Sequence, residues 1–227
     1  NDQNGAFKLI LNSKIGSESD YIHFLKARAY LIKNETNNAI QELKTAELIN
    51  PSNLSYRLEL ARAYIKKNYL INAQNEINYI LRSDINDKKF KELAKTEQFL
   101  LNSKTEKNNH VKSQYYLAKH YAIKGEFETA SQILEKLINE GKKTDFVYEL
   151  LGDIKYFINE FDDAVNYYNL SLKLNKNNAR SWFGLGNILL AQGKAKEALW
   201  KYKKAEKIQP NNTENLLCIA KTYQMLL

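Results

Sequence analysis

The sequence predicts an all-α fold built from antiparallel helix pairs, and three observations support this. Its 227 residues include two prolines and eight glycines, too few for the many turns of an all-β protein. Hydrophobic residues make up 44% and charged residues 26%, as in an ordinary globular protein. Small residues recur at a fixed interval of 34 positions, which is typical of a repeated helical hairpin.

The interval is clearest at an alanine near the start of the second helix of each pair. These alanines are Ala39 and Ala73, then Ala130, Ala164 and Ala198. Twelve residues earlier stands another small residue, namely Ala27, Ala61, Ala118, Gly152 and Gly186. Because small side chains let two helices approach closely, we expect these two positions to form the contact within each pair.

A turn between the two helices is predicted five residues before each alanine. Asn34, Asn68, Gly125, Asn159 and Gly193 occupy that position. Asparagine and glycine adopt the left-handed backbone conformation that ends a helix more readily than other residues. The spacing therefore predicts a helix C-terminus and a tight turn at each of them.

The pattern closely resembles the tetratricopeptide repeat family. Residues 179–212 carry most of its signature, with Trp182, Leu185, Gly186, Ala198, Tyr202, Ala205 and Pro210. Residues 20–53, 54–87, 111–144 and 145–178 match in the same phase. The resemblance implies a right-handed α-solenoid of antiparallel helix pairs, a superhelix whose concave groove is lined by the first helix of each pair.

Five segments follow from this phasing. We expect a capping or preceding-repeat helix in residues 1–19, two repeats in 20–87, an inserted helix and linker in 88–110, three repeats in 111–212, and the first helix of a sixth, incomplete repeat in 213–227. Within the insertion, apolar residues between Phe90 and Leu101 fall on one helical face, and a polar linker is expected from Asn102 to Asn109.

Patterns that carry catalytic or metal chemistry are absent from the sequence. There is no glycine-rich phosphate loop and no nucleophile elbow. The three histidines, His23, His110 and His120, lack the spacing of a helical zinc site, and Cys218 is the single cysteine. We therefore expect no enzyme, no cofactor and no metal.

Charge and hydropathy bear on the partners. The net charge is +8, but lysine and arginine form no continuous basic block, so no nucleic-acid partner is expected. No apolar run of about 18 residues is present to cross a bilayer. The expected location is the cytoplasm, with a periplasmic or membrane-tethered longer chain as the alternative.

The resemblance assigns a partner-binding groove to particular positions of the first helices. These are Phe24, Arg28, Leu58, Arg62, Tyr115, Lys119, Asp153, Tyr156, Phe183 and Asn187. In the first three repeats a basic residue at one position accompanies an apolar or aromatic residue four positions earlier. A cationic row beside an apolar row suits an acidic, amphipathic peptide or helix. The alternative is that the arginines pair with carboxylates of the chain itself.

The leading hypothesis is a bacterial adaptor or scaffold that binds another protein or peptide in this groove. The main alternative is a regulatory or sensor region of a larger enzyme or signalling protein, such as a response regulator or transferase. A receptor for a short signalling peptide is a third hypothesis, favoured by a narrow, asparagine-lined groove. RNA binding would need a continuous basic stripe, which Glu149 and Asp153 interrupt. The exposed terminal helix offers a route to oligomerisation.

Overall fold

The structure, a computed structural model, describes residues 19–84, 87–106 and 108–227. The capping helix expected before residue 19 lies outside these residues. Within the described ranges there are twelve α-helices and no β-strand, so the predicted all-α fold is confirmed.

The helices belong to two compact units. The first unit ends at His120 and contains α1 (Asp20–Ile32), α2 (Thr36–Ile49), α3 (Leu54–Lys66), α4 (Leu70–Arg82), α5 (Lys88–Thr105) and most of α6 (His110–Ile123). The second unit begins at Tyr121 and contains α7 (Phe127–Asn139), α8 (Asp145–Phe157), α9 (Phe161–Leu174), α10 (Ala179–Ala191), α11 (Ala195–Ile208) and α12 (Thr213–Met225).

Tight turns join the helices of each pair at the predicted residues. Asn34 and Asn68 in the first unit have φ values of 64° and 61°, and Asn159 and Gly193 in the second have 63° and 74°. After Asn34, the N–H of Glu35 donates to a carbonyl in the last turn of α1 at 2.9 Å. This bond satisfies a carbonyl that the helix end would leave without a partner.

Small residues form the contact between paired helices, as expected. In the first unit Ala27, Ala39, Ala61 and Ala73 are fully buried. In the second unit glycine takes the first of the two positions, and a tyrosine of the following helix covers it. A Cβ atom added to Gly152 would lie 2.6 Å from the ring of Tyr168, too close for any real contact. The tyrosine therefore fits only because the side chain opposite it is absent.

The inserted helix differs from the prediction at its C-terminal end. α5 continues to Thr105, so the polar connection expected from residue 102 is shorter. Leu101 is fully buried, and Asn102 accepts a hydrogen bond from Gln98 one turn earlier at 2.8 Å. These contacts make the helical conformation favourable where the polar composition indicated a linker.

α5 also has a neighbour of its own in the first unit. The ring of Phe99 stacks on Tyr116 of α6 with centroids 6.3 Å apart. Further toward the connection, the hydroxyl of Ser113 donates to the carbonyl of Ser103 at 2.7 Å. As the contacting residue moves toward the C-terminus of α5, its partner moves toward the N-terminus of α6. The two helices therefore pack as an antiparallel pair.

No helix among residues 19–84, 87–106 and 108–227 has both the length and the apolar character needed to span a bilayer.

Candidate interaction surfaces

An arginine and an aromatic ring lie together on the first helix. The guanidinium of Arg28 is 5.9 Å from the centroid of the Phe24 ring, within cation–π range. Phe24 is half-buried because its ring packs against Tyr56 of α3 at 5.2 Å, whereas Arg28 is exposed. Arg28 forms no salt bridge within the described residues. α1 thus presents a positive group beside an apolar one.

The same combination recurs on α6. The ammonium of Lys119 lies 5.6 Å from the Tyr115 ring centroid and 4.9 Å from that of Phe99 on α5. Its Nζ is also 3.4 Å from the hydroxyl of Tyr115. Both side chains are half-buried. Both of the predicted pairs that combine a cation with an aromatic ring are therefore in contact in the first unit.

Arg62, the third basic residue of the predicted row, is held by carboxylates of the chain. Its guanidinium donates to Glu59 at 2.8 Å and to Glu97 of α5 at 2.9 Å. Burial lowers the pKa of Arg62, but the hydrogen bond and charge of Glu97 outweigh it and the net shift is upward. The alternative of pairing within the chain therefore applies at this position.

Leu58, the apolar neighbour of Arg62, lies in the core. It is 3% exposed and packs with Leu54, Ile80 and Ala94. Ala94 belongs to α5, so the inserted helix covers the face of α3 on which Leu58 lies. Its side chain offers almost no surface to a partner.

In the second unit, two predicted groove residues hold tyrosine hydroxyls. Asp153 accepts from Tyr168 at 2.8 Å and from Arg180 at 2.6 Å, and it is buried. Burial and the charge of Asp153 raise the pKa of Tyr168. Asn187 likewise accepts from Tyr202 at 2.8 Å. A tyrosine fifteen residues after each of them was the sequence signal for this role.

The two remaining predicted residues are half-buried aromatics. Tyr156 contacts Phe161, with ring centroids 5.8 Å apart, and Phe183 contacts Tyr202 at 5.6 Å. Phe183 also lines a cleft, whereas Tyr156 does not. The structure thus leaves part of each ring on the surface.

That cleft, which we call the amide cleft, lies between the start of α10, the end of α11 and the start of α12. Its volume is about 340 Å³. Six of its lining side chains are amides: Asn175, Asn177, Asn178, Gln209, Asn212 and Asn215. Asn178 and Asn212 cap their helices by accepting from backbone N–H groups at 3.0 and 2.9 Å. The sequence analysis placed none of these six amides in a site.

One amide of the cleft has an unused acceptor. Asn215 is 2% exposed and donates to the carbonyl of Tyr202 at 3.0 Å. Its Oδ1 atom is buried without a hydrogen-bond partner among the residues that the structure describes. A buried acceptor of this kind is costly unless a donor reaches it.

Family models describe parts of both units. Tetratricopeptide repeat models match residues 21–53 and residues 150–213. These segments carry the small residues, turns and tyrosine contacts described above, so the sequence match and the helix pairing concern the same residues.

Curated relatives match about half of the chain. Anaphase-promoting complex subunit 3 of Schizosaccharomyces pombe is 23% identical over 108 residues, covering 48% of this chain and 16% of that protein. Superkiller protein 3 of Saccharomyces cerevisiae is 25% identical over 104 residues, covering 43% and 7%. The matched region thus spans less than a fifth of the length of these relatives.

Among solved structures, the hetero-tetramer Cut9–Hcn1 of the anaphase-promoting complex aligns with 97% of this chain and 46% of its own, at 14% identity and a TM-score of 0.50. A tetratricopeptide repeat protein from Parabacteroides merdae covers 97% of this chain and 77% of its own, at 18% identity and a TM-score of 0.49. At such identities the likeness concerns the fold alone. The repeat phase, the family models and the paired helices together identify residues 21–53 and 150–213 as tetratricopeptide repeats.

Proposed function

We propose that this chain is a non-catalytic interaction scaffold whose first unit binds an acidic, amphipathic segment of another protein. Tetratricopeptide repeats support a scaffold in general terms. The observation that carries the specific proposal is the exposed Arg28 beside the ring of Phe24 on a first helix. Of the groove residues assigned from the sequence, the proposal relies on Phe24, Arg28 and Lys119.

The two side chains suit the two faces of such a segment. A guanidinium binds a carboxylate through two parallel hydrogen bonds, and a ring packs against an apolar side chain. Because Phe24 rests on Tyr56, its ring is held in place before a partner arrives. A side chain that is already ordered loses less conformational entropy on binding.

The carboxylates near α3 restrict where an acidic segment can lie. Glu59 and Glu97 already neutralise Arg62. A further carboxylate there would meet two negative groups and one positive group. We therefore propose that the anionic groups of the partner contact Arg28 first and Lys119 second.

Fluorescence anisotropy tests this proposal with a labelled helical peptide whose Glu residues form one face of the helix and whose Leu residues form the other. Arg28→Glu should weaken binding about tenfold or more, since a favourable contact becomes a repulsive one. Lys89→Glu is the matched control, because it makes the same charge change at an exposed residue at the start of α5. Equal losses in both variants, or equal binding of a Lys and Leu peptide, would contradict the proposal.

The amide cleft favours a second candidate, a receptor for a short uncharged peptide. Side-chain amides both donate and accept, so they can pair with the N–H and C=O groups of a peptide backbone. The unused Oδ1 of Asn215 adds a buried acceptor to this set. An acetylated, uncharged peptide should move the side-chain amide NMR signals of Asn177 and Gln209. If only Asn34 and Asn68, at the turns of the first unit, responded, this candidate would be lost.

Either surface could serve a free-standing adaptor or the regulatory region of a larger enzyme or signalling protein, such as a response regulator or transferase. Neither role requires catalytic groups in these repeats.

A further inference from the structure

The second unit contains a cleft lined by five lysines and a tryptophan, which we call the lysine–tryptophan cleft. Lys173 lies in the last turn of α9 and Lys176 just beyond that helix, whereas Lys201, Lys204 and Lys207 lie on α11. Trp182 of α10 also lines the cleft, whose volume is about 830 Å³. We propose that this cleft binds an acidic peptide segment of a partner protein.

The charged side chains that line the cleft are all cationic. Five lysines line it, and no aspartate or glutamate does. None of the five forms a salt bridge with a carboxylate anywhere in residues 19–84, 87–106 or 108–227. Like charges this close repel one another, and a polyanionic partner relieves that repulsion. The electrostatics therefore specify an anionic occupant.

The tryptophans hold the lysines in position. The indole N–H of Trp182 donates to the carbonyl of Lys176 at 2.9 Å, and its ring meets that of Trp200 edge to face at 5.7 Å. The ammonium of Lys201 lies 4.9 Å from both ring centroids, and that of Lys204 lies 5.1 Å from Trp200. Cation–π contacts thus order two cations before a ligand binds.

The residues that line the cleft suit an extended peptide. Successive side chains of an extended segment point to opposite sides, about 3.3 Å apart along the chain. Acidic residues along such a segment would therefore reach both the lysines at the end of α9 and those on α11. Leu172 and Ile208 also line the cleft and offer apolar contact to one aliphatic side chain of the segment.

Single-stranded nucleic acid is the other polyanion to consider. Proteins bind it by stacking bases on open aromatic faces as well as by contacting phosphates. Here ammonium groups lie over the rings of both tryptophans. A carboxylate needs the ammonium and not the ring face, so the geometry favours the peptide.

Lys201 shows why a bound carboxylate is stabilising. Burial lowers the pKa of Lys201, and Glu197 only partly opposes this effect. A carboxylate in the cleft would favour the charged form of this lysine.

Tryptophan fluorescence reports on this site, because the only two tryptophans of the chain, Trp182 and Trp200, are in contact here. Titration with a short peptide of Asp, Glu and Leu should give a saturable change that weakens with added salt. Lys204→Glu should reduce affinity about tenfold or more. Lys203→Glu is the matched control, because Lys203 is the adjacent residue of the same helix and lies over Tyr223 instead. Lys173→Glu tests the lysines at the end of α9 in the same way. Circular dichroism verifies the helicity of each variant.

The result that would overturn the proposal is no saturable change with the acidic peptide, or equal losses from Lys203→Glu and Lys204→Glu. Tighter binding of an oligothymidylate strand than of the peptide would overturn it in favour of nucleic acid. The cleft shares no residue with the surface proposed on α1, so Arg28→Glu should leave the titration unchanged. Failure of one proposal can thus be told apart from failure of the other.

Discussion

The hydroxyl of Tyr168 donates a hydrogen bond to the carboxylate of Asp153 at 2.8 Å, and both groups are buried. The contact recurs 34 residues later between Tyr202 and Asn187, also at 2.8 Å. In each case the tyrosine ring also lies against a glycine of the helix that carries the hydrogen-bond acceptor, Gly152 or Gly186. Three positions of the repeat are thus coupled: a glycine, the polar residue after it, and the tyrosine of the next helix.

Removing the Tyr168 hydroxyl should destabilise the second unit. Tyr168→Phe leaves one oxygen of Asp153 without its donor in a buried site, which typically costs about 1–3 kcal/mol. The free energy of unfolding from urea titration measures this. Tyr167→Phe is the control, since Tyr167 is half-buried and its hydroxyl makes no hydrogen bond among the described residues. Indistinguishable values for the two variants would show that the Asp153 contact contributes nothing.

Enlarging the glycine opposite a tyrosine should also destabilise the second unit, by overpacking. A Cβ atom at residue 186 would lie 2.5 Å from the Tyr202 ring, so Gly186→Ala should overpack the helix contact and cost about 1–3 kcal/mol. The first unit shows a compatible pair, because Ala27 and Leu43 occupy the equivalent positions and both are fully buried.

Gly186→Ala combined with Tyr202→Leu should therefore be more stable than the sum of the two single changes predicts. A double-mutant cycle measures that coupling. Strict additivity would mean that the ring and the new methyl group do not meet.

The sequence predicted the helix pairs well because their determinants are local. Asn34 and Gly193 stand at left-handed turns, and Ala39 is buried at a helix contact, each where the 34-residue phase placed it. The end of α5 was harder to predict. Leu101 stabilises that turn through burial against other helices, and the spacing of residues within the segment does not reveal this.

The predicted groove was also limited by contacts that the sequence does not reveal. Phase indicates which face of a helix a residue occupies, but not what covers that face. Leu58 is buried by α5, and Arg62 is paired with Glu97 of that helix, 35 residues further along the chain. The lysine–tryptophan cleft was missed because its cations come from separate helices and form no continuous block.

A pH effect is expected at the start of the first helix. Asn50 and Tyr56 donate to the carboxylate of Asp20 at 2.8 and 2.9 Å, and these hydrogen bonds lower the pKa of Asp20 below its usual 3.8. A lowered folded-state pKa contributes stability that is present above the unfolded value and is lost as pH falls through the folded one.

The difference in unfolding free energy between the wild type and Asp20→Asn should therefore shrink as the pH falls below about 4. Carbon-13 NMR titration of the carboxyl group gives its pKa directly, and Asn50→Ala should raise that value. A pKa unchanged by Asn50→Ala would contradict the assignment of the cause. Burial and Asp20 together raise the pKa of Tyr56 to about 12.

The last prediction separates two arginines that the sequence placed in one row. Arg62 satisfies Glu97, which is 7% exposed, whereas Arg28 lies over a ring and faces solvent. Arg62→Ala removes a donor from a buried carboxylate and should cost about 1–3 kcal/mol, at the lower end because the arginine itself is partly exposed. Arg28→Ala should change the unfolding free energy by no more than about 0.5 kcal/mol.

Peptide affinity should show the opposite order, since the acidic segment is proposed to contact Arg28. Urea titration and anisotropy on the same two proteins give both quantities. Arg62→Ala combined with Glu97→Gln should recover part of the lost stability, because the buried group no longer carries an unpaired charge. If Arg28→Ala proved the more destabilising change and Arg62→Ala the more damaging to binding, the assignment of structural and binding roles would have to be reversed.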